Sequence, residues 1–146
     1  MAVTVFEGVD AVRAATGCHL GWSEWTTITR DQIAAFAEAT GNAGACGACD
    51  AGADGAAPEY LTLAITNMLL PQVVEVCGVS LGVNRGTGMV RFGAPAPVGA
   101  RLRAGVELRA VQDVAGGVDT TMVITVERDG GDEPVCVVEG LSRFLA

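Results

Sequence analysis

The chain has 146 residues, a length that suits one domain of the commonest size. Half of the residues are hydrophobic and 18% are charged, which is enough apolar material for a packed core and excludes a wholly disordered chain. Acidic residues outnumber basic ones by 17 to 9, with no lysine, and the net charge of −8 excludes the basic face that a nucleic acid or an anionic membrane surface requires.

The apolar stretch from Leu61 to Val76 is broken by Thr62, Thr66, Asn67, Pro71, Gln72 and Glu75. It falls short of the ~20 apolar residues of a membrane span. The opening residues MAVTVFEGVD hold no basic region and no apolar core of a secretory signal, so a cytoplasmic protein is expected. The five cysteines are odd in number and irregular in spacing, which argues against a disulfide framework.

Residues 1–24 read as an irregular lead-in with a short helical segment from Val9 to Ala15. Trp25 to Thr29 reads as a strand, and Thr29 can cap a helix from Asp31 to Thr40. Ile33, Phe36, Ala37 and Thr40 recur with helical spacing, so one face of that helix is expected to be buried. Residues 41–57 hold five Gly, seven Ala, two Cys and two Asp, and no large apolar side chain. Such a run makes no periodic buried face and reads as a loop. Long loops of this kind are often lids or binding loops.

Pro58 suits a first helical turn, and Glu59 beside it complements the positive helix end. Leu61, Ile65, Met68 and Leu69 form an apolar stripe, so a buried central helix is expected to run to about Cys77-Gly78, bent or broken at Pro71. Beyond Val79 the period changes to two. Gly88 to Phe92, Arg101 to Ala110, Val118 to Val126 and Val135 to Phe144 read as strands. Turns at Ala115-Gly116-Gly117 and at Asp129 to Asp132 separate the last three into an antiparallel meander. One long apolar helix followed by long strands implies an α+β fold, a sheet wrapped around the helix. The expected organisation is a single domain over 1–146 with a variant loop at 41–57.

Specific segments carry a family resemblance. Gly21-Trp22-Ser23-Glu24-Trp25 through Thr29, then Gln32 through Gly41, resembles the opening of the MaoC-like dehydratases, relatives of the (R)-specific enoyl-CoA hydratases with a hot-dog fold. Tyr60-Leu61-Thr62-Leu63 is similar to the start of that family's central helix. Val83-Asn84-Arg85-Gly86 and Val90-Arg91-Phe92-Gly93-Ala94-Pro95 through Arg103 are similar to its connection from helix to sheet. The resemblance spans about residues 15 to 144. It implies a lyase that hydrates a 2-enoyl thioester or dehydrates the 3-hydroxy product, works as a homodimer or paired with a related hot-dog subunit, and needs no cofactor.

The resemblance also implies an Asp directly after the Gly that ends the first helix and a His five residues later, which activate one water between them. Here those positions hold Asn42 and Gly47, and the position two beyond holds Cys49. The loop is shorter and ends Ala57-Pro58-Glu59. An Asn side chain does not ionise near neutral pH, so it is no general base. The sequence therefore points to a rebuilt site, used for dehydration, cyclisation, isomerisation or thioester hydrolysis of an acyl-thioester or polyketide-like intermediate in bacterial biosynthesis. A non-catalytic, ligand-binding hot-dog subunit is the alternative.

The candidate catalytic groups are Asn42, Glu59, Tyr60 and Arg85. The candidate substrate-binding residues are Cys46, Cys49, Asp50, Asn84 and Gly86. Glu59 reads either as a carboxylate offsetting the helix dipole or as an acid facing a thioester carbonyl, a part that Asp50 fills equally well. Arg85 suits bidentate binding of a carboxylate or phosphate, or an ordinary salt bridge. Cys46 and Cys49 form a C-x-x-C pair without the second pair that structural zinc needs, so no metal is expected; the thiols are inert, or act as a nucleophile or reversible disulfide near the pocket. His19, the one histidine, reads as a surface or structural residue.

Overall fold

The computed structural model describes residues 2–41 and 55–146. In chain order the elements are β1 (Thr4–Glu7), α1 (Gly8–Ala14), β2 (His19–Trp22), β3 (Thr26–Thr27), α2 (Arg30–Ala39), α3 (Glu59–Ala64), α4 (Thr66–Leu69), β4 (Val74–Cys77), β5 (Leu81–Phe92), β6 (Arg101–Val114), β7 (Gly117–Arg128) and β8 (Cys136–Leu145). Antiparallel pairing orders the main sheet β2-β6-β7-β8-β5, with β3 also on β6. This is the expected hot-dog arrangement of one antiparallel sheet around a central helix.

The period-two alternation sets the sheet's two faces. Leu102, Ala104, Val106 and Leu108 of β6 are fully buried, as are Val118 and Val126 of β7. Their neighbours Arg101, Arg103, Glu107 and Arg109 point to the outer face. The helical stripe answers from above: Leu61, Ile65 and Leu69 are buried in the same core. The Thr29 hydroxyl accepts the Gln32 N–H at 3.1 Å, and Gln32 Oε1 accepts the Thr29 N–H at 2.9 Å. This capping box starts α2 and turns Ile33 and Ala37 inward. Thr40 differs from expectation: it is exposed, its hydroxyl donating to the Phe36 carbonyl at 2.9 Å.

The central helix is shorter and more broken than its apolar run suggests. α3 and α4 are separated at Ile65, and a single 3-10 turn, Leu70–Gln72, follows. The Thr62 and Thr66 hydroxyls donate back to the carbonyls of Glu59 and Leu63, which weakens the regular ladder. Pro71 then removes a donor where the helix ends. Val74–Cys77 is not helical: it pairs in parallel with β1. The lead-in thus contains strands rather than irregular chain, and the strand expected at Trp25–Thr29 shrinks to two residues. The strand expected at Gly88–Phe92 begins at Leu81, because β8 continues alongside and supplies partners to that end. No helix among the described residues is long and apolar enough to cross a membrane.

Candidate functional site

Among the described residues, two cavities flank the central helix. The larger, about 440 Å³, lies between the helix and the inner face of β5, β7 and β8. Leu63, Ala64, Thr66, Asn67 and Leu70 form its helical wall, and Asn84, Gly86, Thr87, Ile124, Val138, Gly140 and Ser142 form its sheet wall. Gly140 is an inward position on β8 with no side chain, which leaves room beneath the helix. The smaller cavity, about 190 Å³, sits at the start of the helix and includes Ala57, Glu59, Thr62, Gly93, Pro95 and Val135.

Backbone pairing fixes the smaller cavity. The Ala57 N–H donates to the Ala96 carbonyl at 2.7 Å, and the Ala94 N–H to the Pro134 carbonyl at 3.0 Å. Gly93 permits this approach, since a Cβ there would fall 2.2 Å from the Pro134 oxygen. Behind Thr62 lies Cys136, fully buried. Burial pushes its thiol up, against an opposing hydrogen bond with Thr62, so Cys136 is a neutral core residue and no nucleophile.

The structure brings some candidate residues together and separates others. Asn84 and Gly86 line the larger cavity, and Gly86 donates its N–H to Asn84 Oδ1 at 2.9 Å. Glu59 lines the smaller cavity, close to one helical turn away. Tyr60 is 70% exposed, its ring edge-on to Phe92 at 5.6 Å. Arg85, between two cavity residues, points the other way: its Nη1 donates to Asp119 Oδ2 at 2.9 Å on the outer face. Asn42, Cys46, Cys49 and Asp50 lie outside the described residues.

His19 also lies on the outer face. Its ring packs 5.3 Å from Trp22, which lies across Gly105, and the two rings border a depression of about 250 Å³ with Glu107, Val123 and Thr125. Arg103 stacks between Trp22 and Trp25, 4.3 and 4.5 Å from their ring centres, and pairs with Glu127 at 2.6 Å. No group of three or more His, Cys, Asp or Glu side chains suited to a metal ion occurs among the described residues. Sequence reasoning missed Thr66, Asn67, Thr87 and Ser142 as cavity residues. The signal for Ser142 was present: it occupies an inward position in the Val138-Gly140-Ser142-Phe144 alternation, where an apolar residue is the rule.

No family model matches the chain. The 3-hydroxyacyl-thioester dehydratase Z of Mycobacterium tuberculosis (strain H37Rv) is 40% identical over 154 aligned positions, covering 97% of this chain and 98% of the relative. Among solved structures, a monoamine oxidase regulatory protein from Archaeoglobus superposes with a TM-score of 0.73 at 18% identity, covering 99% of this chain and 97% of that one. A MaoC-like dehydratase from Rhodospirillum rubrum gives 0.66 at 18%, covering 90% and 94%. The HadBC (3R)-hydroxyacyl-ACP dehydratase complex of M. tuberculosis gives 0.64 at 21%, covering 88% and 96%.

Proposed function

Since the chain belongs to the family of MaoC-like hot-dog dehydratases, we propose that it takes a 3-hydroxyacyl thioester, or the matching 2-enoyl thioester, and interconverts the two by loss or gain of water at a rebuilt site. The relative sharing 40% of its sequence over nearly the full length of both chains is named as such a dehydratase. The acyl chain lies in the larger cavity, and the thioester reaches back toward the start of the central helix.

The observation that carries the reading is the position of Glu59, the one carboxylate among the described residues that lines either cavity. The bond changes need only one proton carrier. The Glu59 carboxylate takes the proton from Cα, the electron pair forms the Cα=Cβ bond, and the β-hydroxyl leaves as water on receiving that proton. Asn42, where the resemblance expects the catalytic Asp, orients the water by hydrogen bonding without taking a proton. The test is turnover by the purified protein on short 3-hydroxyacyl and 2-enoyl thioesters. Dehydration or hydration under those conditions supports the proposal, and no turnover on either opposes it.

A specific observation favours a second reading, that of a non-catalytic subunit. The only histidine of the chain stacks on Trp22 on the far side of the sheet, away from both cavities. The chain therefore supplies no Asp–His dyad of its own. HadBC, one of the similar structures, is a complex, and a chain of this kind would pair with a subunit that carries the dyad.

In both readings the contact runs along β5. This twelve-residue strand ends the sheet, and Leu81, Val83 and Met89 on it are 48%, 41% and 62% exposed. A bare apolar edge of that length is an aggregation hazard unless a second strand pairs with it. Sedimentation of the protein alone and with a co-expressed dyad-bearing hot-dog subunit separates the readings. An active homodimer supports the first. Solubility and activity only with the second subunit support the other.

A further inference from the structure

We infer that the larger cavity selects an oxygenated acyl chain, one with a hydroxyl or keto group beyond the β-carbon, over a plain alkyl chain. The inference rests on the acyl-thioester reading above and names the substrate class for that site.

The inner face of the sheet is apolar in successive cross-strand rows, with one exception. Val118, Phe144 and Gly82 form one row across β7, β8 and β5, and the Phe144 ring covers Gly82 closely, within 3.1 Å of where a Cβ would stand. Three rows further along stand Ile124, Val138 and Val90. Between them runs Thr120, Ser142 and Asn84, adjoined by Thr87 opposite Gly140. This polar band therefore lies between apolar rows and runs from buried Thr120 out to exposed Asn84 and Thr87 on the edge strand β5. From the helix, Asn67 and Thr66 face the same cavity.

These groups have hydrogen-bonding capacity left over. The side chains of Asn67, Thr87 and Ser142 make no hydrogen bond to a described residue. Asn84 uses its Oδ1 on the Gly86 N–H, which leaves its NH₂ as a donor. The Thr66 hydroxyl spends its proton on the Leu63 carbonyl at 2.7 Å but can still accept. The cavity thus offers donors and acceptors from both walls, beside an apolar stretch formed by Leu63, Leu70, Ile124 and Val138.

An alkyl chain filling this cavity would strip water from these groups and return nothing. An unsatisfied polar group costs free energy on losing water, whereas a ligand oxygen in reach restores the bond. A hydroxyl donates and accepts and so matches Ser142 and Thr87. A keto oxygen accepts from the amides of Asn67 and Asn84.

The experiment uses octanoyl and 5-hydroxyoctanoyl N-acetylcysteamine thioesters, titrated calorimetrically into the wild-type protein and into Ser142→Ala and Asn67→Ala. The wild type is expected to bind the hydroxylated thioester about tenfold more tightly, the worth of one well-made hydrogen bond. At least one variant is expected to lose that preference while binding octanoyl at least as tightly as the wild type does, which also shows that it is folded. Equal binding of the two thioesters by the wild type, or a preference untouched in both variants, overturns the inference and leaves the acyl-thioester reading standing. Binding of neither thioester overturns that reading, and the inference with it.

Discussion

Arg85 and Asp119 meet on the outer face of the sheet, with Arg85 Nη1 2.9 Å from Asp119 Oδ2, although both chain neighbours of Arg85 line the cavity on the inner face. Alternation along β5 accounts for this, because successive side chains of a strand point to opposite faces and Arg85 stands between two inward positions. Asp119 also accepts from Arg143 Nε at 2.6 Å and Nη2 at 2.9 Å. Arg85→Ala is therefore expected to lower Tm slightly and to leave the kcat of the active assembly unchanged. A large loss of kcat in a folded variant would show that Arg85 reaches the substrate.

The same cluster sets a pH dependence. Hydrogen bonding from Arg143, helped by the Arg85 charge, holds the Asp119 carboxyl below the ordinary carboxylate range. Its folded-state value is thus lower than its unfolded one. The resulting stabilisation is complete above the unfolded value of about 3.9, shrinks below it, and is gone once the pH has fallen through the folded value. The Tm gap between wild type and Asp119→Asn should be constant near neutrality and should close on acidification. A gap that widens on acidification contradicts this.

Glu59→Gln keeps the shape of the helix start but removes the only carboxylate among the described residues that lines either cavity. If Glu59 carries the proton, kcat falls by roughly 10²–10⁴ with little change in Tm. Wild-type turnover in this variant points instead to loop 41–57 or to a partner subunit as the source of the base.

Gly105 lies under Trp22, and a Cβ at that position would stand 2.7 Å from the indole ring. Gly105→Ala should therefore lift Trp22 off the sheet, loosen its stack on Arg103, and cost about 1–3 kcal/mol, as overpacking does. Chemical denaturation followed by tryptophan fluorescence checks both effects. An unchanged midpoint with an unchanged emission maximum would mean that the indole yields without cost.

Glu59 and the start of the central helix could be read from the chain because Pro58-Glu59 is a local helix signal. Arg85 could not be read in the same way. Its outward face follows from alternation only once β5 is known to turn Asn84 and Gly86 inward, and its partner Asp119 stands on β7, brought within reach by pairing across β8. The polar band had a partial signal in Ser142, but its cross-strand partners Thr120 and Asn84 come together only through pairing across three strands.

The sequence by itself determined the two faces of β6, β7 and β8, since side chains alternate strictly along a strand and the apolar set must turn inward together. It also determined the capped start of α2, where Thr29 and Gln32 satisfy each other's backbone within one turn. Tertiary structure decided the rest. Leu81 to Thr87 became strand despite its glycines because β8 offered a ladder of partners. Val74–Cys77 left the helix because β-branched residues beyond Pro71 gained backbone partners in β1. The cavity owes its shape to the same cause, since its walls come from segments as far apart as Leu63 and Ser142, and only long-range pairing fixes the distance between them.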